Sequence, residues 1–332
     1  MRHIDGRPRG IHKSQVRRLS GPIVSAPKLH HYSPAFANAR WAGATARSVC
    51  YYRNLHARAV AKRIVGKRQW GRKRKLYRLD VEQALGRDLE SDVAPIYAKL
   101  TSDKALSSEE RIRWAQFLFS QFVRTPCFMR YENAVKRAFN LTETPDHDRV
   151  GCPDCLDLHY LTSRHWKILV SHEDDGFIRT DNPAFLSDFP VASDAFLLYP
   201  LSPRLCFVAC SAPTDREPLT GPHPCIAGPV VAQQLHKGGA FFINFHLARA
   251  ADQSALVHPR FDSDITKHLL SEVLGTYPQP PFLLHNPMAS ELREARHSVL
   301  QIMIGTDRVA YPAFNGLELA PLVMPPAAYE ES

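Results

Sequence analysis

Two stretches of this chain carry residue types at spacings that could do chemistry locally. His147, Cys152, Cys155 and His159 form an H-x4-C-x2-C-x3-H run. Thiolate and imidazole are ligands that zinc prefers, and the close pair of cysteines permits a metal knuckle. The competing reading is a plain turn at Pro153 with two buried cysteines. A redox role fits less well, because no thioredoxin-like strand precedes the pair. The second stretch, residues 57–78, holds Arg58, Lys62, Arg63, Lys67, Arg68, Arg72, Lys73, Arg74, Lys75 and Arg78, interrupted by Trp70 and Tyr77. Cations on a flexible segment release counterions when they meet phosphates, which gives nucleic-acid affinity without sequence specificity. The aromatic rings could stack on unpaired bases. The bland counterpart is a solvated basic loop that answers an acidic body.

Other polar residues fall in short motifs spread along the chain. They are His30-His31-Tyr32-Ser33-Pro34-Ala35-Phe36, Glu90, Arg124-Thr125-Pro126, Thr180-Asp181-Asn182-Pro183, Pro200-Leu201-Ser202-Pro203 and Asn244. In this order, over roughly residues 28–260, the chain resembles domain-of-unknown-function family 4238. Ser33 stands where the family pattern has an apolar residue and Thr180 where it has serine, and the basic stretch is heavier than the pattern implies. The resemblance implies a shared fold and supplies no reaction.

Most of the polar residues so marked are His, Glu, Arg, Asp or Asn, which are costly to desolvate unless paired. If His30, His31, Glu90, Arg124 and Asp181 meet in space, they supply an acid, a base and an anion clamp. An imidazole would move protons near neutral pH, Arg124 would hold a phosphate through its planar fork, and the carboxylates would orient a histidine or bind a divalent metal. Tyr32, Asn182 and Ser202 would flank such a site as binding residues. Each group also has a structural reading. The histidines can plug a domain end, Glu90 and Arg124 can tie two helices together, and Thr180–Pro183 can be a turn, because Asp and Asn side chains mimic backbone turns.

Two functions follow as expectations. The first is a phosphodiester-directed hydrolase, nuclease-like, acting on RNA or DNA through the His/Glu/Arg/Asp array. The second is a non-catalytic nucleic-acid- or partner-binding protein, in defence or regulation, in which Arg63, Arg68, Trp70, Arg72, Lys73, Arg74 and Lys75 make the contacts. No phosphate-binding glycine loop, G-x-S-x-G elbow or H-E-x-x-H helix is found, which argues against P-loop motors, common esterases and zinc proteases.

The elements that must position these groups are of α+β class. Residues 1–27 read as a basic tail, 28–310 as one domain with the 57–78 stretch as an insert, and 311–332 as a proline-rich tail. Apolar residues spaced by three or four predict a helix over 81–100, with Pro95 inside it. Ser107 and Glu110 have capping-box spacing and open a long core helix running to about Phe139, kinked at Pro126. This helical N-terminal part precedes a small, mostly antiparallel sheet from Trp166–Val170, Gly176–Thr180, Ala195–Tyr199 and Leu205–Cys210. Helices over 229–251, broken at Gly238–Gly239, and over 264–275 pack on it, and 298–304 suggests a last strand.

Charge is distributed unevenly. Residues 1–78 hold 20 Lys/Arg against the single acid Asp5, a net of +19, while the remainder holds 22 against 32, a net of −10. Such a gradient suits a basic front that meets a polyanion or folds back on the body. Seven cysteines in 332 residues do not make a disulfide scaffold, and with no apolar run of membrane length or secretory signal the expected location is cytoplasmic.

Overall fold

The computed structural model describes residues 29–43, 47–56, 58–74, 76, 82, 85–102, 104–130, 161–162, 164–186, 196–210 and 230–276. His147, Cys152, Cys155 and His159, together with Lys75, Tyr77 and the 298–304 strand, lie outside them.

The described residues open with strands rather than helices. β1 (Leu29–His31) leads into a one-turn helix α1 (Ala35–Asn38), then the hairpin of β2 (Ser48–His56) and β3 (Ala59–Gly66), then β4 (Arg72–Arg74). The expected helical front is therefore corrected, and most of the basic stretch is paired β-structure. β1 pairs antiparallel with β4, and β3 pairs with β2 along its whole length. The reason is visible in β3, where the adjacent cations Lys62 and Arg63 sit between Val60 and the pair Ile64 and Val65. Charge hides a period of two that a half-exposed edge strand needs.

Two helices follow. A π-type turn at Leu85–Leu89 runs into α2 (Glu90–Leu100), and α3 spans Ser108–Val123. The capping box forms, with Glu110 N–H donating to Ser107 Oγ (3.2 Å) and Ser107 N–H donating to Glu110 Oε2 (2.9 Å). The long kinked helix does not. α3 stops at Val123, and Thr125 starts a new helical segment at 126–130 by accepting the Phe128 N–H (3.2 Å) on its hydroxyl. Pro126 occupies the first position of that segment, where a missing N–H is harmless. The Arg-Thr-Pro motif is thus the joint between two helices.

The remaining strands are β5 (His165–Val170), β6 (Arg179–Thr180), β7 (Phe185–Leu186), β8 (Leu197–Ser202), β9 (Leu205–Cys210), β10 (Val231–Gln234) and β11 (Ser254–Val257). Two more helices, α4 (Gly239–Ala250) and α5 (Asp264–Val273), separate or follow them. The predicted 229–251 helix is split: its first part is β10, which extends the sheet by pairing parallel to β5. Instead of one small sheet, the described residues form, besides the β1–β4 ribbon, a five-stranded sheet of order β10-β5-β9-β8-β7 and a four-stranded antiparallel sheet of order β3-β2-β11-β6. Helices pack with mostly antiparallel sheets, so the class is α+β.

Side-chain alternation distributes the core. On the five-stranded sheet, Trp166, Ile168, Leu197, Tyr199, Phe207 and Ala209 face α2 and α3. Trp114 is the centre of that layer, stacked on Phe117 (5.2 Å between ring centroids) and edge-on to Tyr199 and Phe207. The intervening residues Leu169, Leu198, Cys206 and Val208 face a second core with α4, α5 and Tyr52, Ala255 and Val257 of the other sheet.

One side chain links these layers. Arg179 of β6 is fully buried; it donates to Asn38 Oδ1 (3.2 Å), the Pro200 carbonyl (3.1 Å), Ser33 Oγ (3.4 Å) and the Tyr199 hydroxyl (2.8 Å). Its guanidinium also lies against the rings of Trp41 and Tyr199, at 5.7 and 4.8 Å. It was not among the residues singled out from sequence, and nothing in its type or spacing distinguishes it from a surface arginine. Replacing a buried, multiply bonded cation leaves its acceptors without donors. Arg179→Leu is expected to lower unfolding free energy by roughly 3–5 kcal/mol, read from urea melts; a loss under about 1 kcal/mol would show that the acceptors find other donors.

Candidate functional site

A cleft of about 290 Å³ opens where the β1–β4 ribbon, β2, the 126–130 helical segment and the 252–254 turn meet. The ribbon reaches it because Tyr32 and Ser33 both donate their N–H to the Gly71 carbonyl (2.8 and 3.3 Å). Gly71 has φ +75°, and a Cβ there would fall 2.5 Å from the Ser33 Cβ, so only glycine lets the strands close at this point. Ser33, which departs from the family pattern, is the residue packed against it.

Four cations line the cleft: Arg53, Arg72, Lys73 and Arg130. Three are held in place by neighbours. Arg53 donates to Gln253 Oε1 (3.4 Å), and Arg130 is paired with Asp252. Arg72 Nε donates to His31 Nε2 (2.8 Å), so this ring nitrogen is an acceptor and the neutral ring carries its proton on Nδ1. That nitrogen lies 3.5 Å from Glu82 Oε1. His31 therefore positions Arg72 rather than lining the cleft. Tyr51 and Arg63 are direct cross-strand partners in β2 and β3, so Arg63 extends the same face outward from cleft-lining Tyr51 and Arg53. Arg68 and Arg74 are exposed nearby in chain order, and Trp70 is a buried wall residue, not an exposed stacking ring. Tyr32 lines the cleft as a protonated phenol, its pKa raised by burial and then by Asp181 and Asp252.

Of the five residues expected to form a catalytic array, Asp181 is the one that lines this cleft. Its Oδ1 accepts the Asp252 N–H (2.8 Å), and its Oδ2 accepts the N–H groups of Gln253 and Ser254 (2.8 Å each) and the Ser254 hydroxyl (3.1 Å). Asn182 Nδ2 donates to the Ala250 carbonyl (2.9 Å), and Thr180 Oγ1 donates to the Asn182 carbonyl (2.6 Å). The Thr-Asp-Asn-Pro motif thus clamps the turn between α4 and β11, the structural alternative raised from sequence. Ser202 Oγ likewise accepts the N–H groups of Arg204 and Leu205 (3.2 and 3.1 Å) and closes the β8–β9 hairpin. Asn244 fixes residues 176–178 by accepting the Ile178 N–H (2.9 Å) and donating to the Gly176 carbonyl (2.7 Å).

Glu90 and Arg124 meet each other instead. Arg124 Nη1 donates to Glu90 Oε1 at 2.7 Å, tying the start of α2 to the end of α3, with the arginine 1% exposed and the glutamate 20%. His30 is buried in β1, opposite Lys73. These placements favour the helix-tying and domain-plugging readings over a shared open pocket. Among the described residues, no group of three or more His, Cys, Asp or Glu is placed to hold a metal ion.

Residues 29–148 match the model of the family described as Protein of unknown function (DUF4238). The DUF4238 region contains all four cleft cations, the His-His-Tyr segment and the Arg-Thr-Pro joint. Asp181, Asp252 and the Asp-Asn-Pro and Pro-Leu-Ser-Pro motifs lie beyond the matched residues. No curated protein and no solved structure matches the chain.

Electrostatics single out Asp181. Burial, and next the Asp252 carboxylate, raise its pKa to about 7, against the pull of the N–H donors around it. A carboxyl whose folded pKa exceeds its unfolded value binds more protons folded than unfolded between the two. Its contribution to stability is therefore present below the usual carboxylate range and is lost as pH rises toward about 7. Wild-type protein should lose more stability between pH 4.5 and 7.5 than Asp181→Asn, each measured against its own value at the lower pH (roughly the two sides of that window). Equal losses in urea melts would show that the N–H donors hold Asp181 ionised throughout.

Proposed function

We propose that this protein binds nucleic acid, without cleaving it, through the basic face formed by β2, β3 and β4 and the cleft at its edge. The observation that carries this reading is the contrast in how charges are used. The polar motif residues Asp181, Asn182, Ser202 and Asn244 are committed to backbone groups, while Arg53, Arg63, Arg72 and Lys73 stand on one folded face or its cleft. Strand pairing gives these cations fixed positions, which lowers the entropy lost when they bind phosphates. A reducing cytoplasm suits the thiols of Cys50, Cys127, Cys206 and Cys210, which are buried and free of disulfides. No helix among the described residues is long and apolar enough to cross a membrane.

The hydrolase reading keeps one supporting observation. Asp181, raised to about 7 beside Asp252 and among cations, has the titration range of a general base, and the two carboxylates are where a divalent metal would be sought. One assay separates the two. Labelled single-stranded RNA and DNA bearing hydroxyl ends are titrated with the full chain, with and without magnesium, and the strands are then sized. Binding without shortening is expected, with log affinity falling against log salt by about 0.7 for each phosphate neutralised, and with a shallower slope in Arg63→Gln. Shortening that disappears in Asp181→Asn would overturn the non-catalytic reading. Absence of binding at about 50 mM salt would overturn nucleic-acid binding altogether.

A further inference from the structure

The cleft is more specialised than a basic face requires. Its lining carries four cations and two carboxyl groups, Asp252 and Asp181, the latter partly protonated near neutral pH, which leaves a net of between two and three positive charges around about 290 Å³. Both carboxylates are internally engaged, Asp252 with Arg130 and Asp181 with the 252–254 backbone. Arg72 is oriented by a part-buried bond to His31, while the exposed Arg53 makes a longer one, 3.4 Å, to Gln253. Lys73, the middle residue of β4, is exposed, as are Arg53 and Arg130, and its side chain is long enough to close over an occupant.

An independent observation comes from Trp70. It lines the cleft, is 5% exposed, and its indole N–H has no acceptor among the described residues. A buried N–H is ordinarily bonded; this one is shielded from solvent beside the core of Trp41, Val49 and Leu256, so an oxygen-rich occupant of the cleft reaches it only when the indole shifts.

The geometry points to a subsite for a phosphomonoester, the terminal phosphate of a nucleic-acid strand or of a free mononucleotide. A monoester carries a charge of about −1.5 to −2 near neutral pH, matching the lining, whereas a backbone phosphodiester carries one. The volume lies at the small end of the roughly 300–1,000 Å³ of small-molecule sites, which suits one nucleotide end and not a duplex. The subsite rests on the nucleic-acid reading only for its strand-end form; mononucleotide binding stands independently.

The test uses the full chain and one short single-stranded sequence made with hydroxyl ends, with a 5′-phosphate and with a 3′-phosphate. Adenosine 5′-monophosphate, adenosine and inorganic phosphate serve as competitors. At fixed salt one phosphorylated form should bind about tenfold more tightly than the hydroxyl form, and the preference should fall below about threefold in Lys73→Gln and in Trp70→Phe. Adenosine monophosphate should abolish the preference and adenosine should not. Direct binding of the mononucleotide with no strand preference would assign the site to the free nucleotide and support the same chemistry. Equal affinity for all strands, with no mononucleotide binding, would overturn the subsite while leaving the proposed function intact. Failure of every probe to bind would overturn both. If Trp70→Phe does not fold, Lys73→Gln decides: its side chain is exposed, and an unchanged preference would overturn the assignment.

Discussion

The arrangement depends on one buried cation. Arg179 reaches from the four-stranded sheet to the β8 strand of the five-stranded sheet and to the Ser33–Asn38 segment that follows β1. Its acceptors are neutral oxygens and its rings are aromatic, so the charge is spread over several weak partners instead of one carboxylate. A guanidinium tolerates this because it is planar and presents several donors at fixed angles. The position of β1 relative to both sheets, and with it the position of the β1–β4 ribbon, follows from satisfying those donors.

Around that hub the chain uses polar side chains as substitutes for backbone partners. Asp181, Asn182, Ser202 and Asn244 each hold a turn or irregular strand end whose N–H or carbonyl groups would otherwise be buried without partners. Such residues cluster in motifs because a turn fixes their spacing, and they are short polar types because a carboxylate, amide or hydroxyl reaches nearby backbone groups directly. A motif rich in Asp and Asn is therefore what a clamped turn and a catalytic site have in common. At Asp181 the clamp also lines the basic cleft.

Much of the α-helical structure was legible in the chain. The stripe through Leu85, Leu89, Val93, Ile96 and Leu100 and the Ser107–Glu110 box act within a few residues, and the helices α2 and α3 stand where they imply. The strands β5, β8 and β9 were readable as apolar runs between turn residues. The basic hairpin was not, because the alternation of β3 is masked by Lys62, Arg63 and the exposed Ile64. Its stability comes from pairing with β2, which no local signal reports. The end of α3 at Val123 was also hidden, since Thr125 and Pro126 look alike as a kink and as a new start.

By itself, the sequence determined the α+β class, the capped start of α3, the steep charge gradient and the residue types gathered in each motif, because these depend on composition and on neighbours a few positions apart. Tertiary structure alone decided that Glu90 turns to Arg124, that Asp181 faces the 252–254 backbone, that Arg72 leans on His31 and that four cations share a cleft. Those partners lie tens to more than a hundred residues apart for the most part. Which buried donor meets which acceptor is settled by how sheets and helices pack, and residue identity only supplies the candidates.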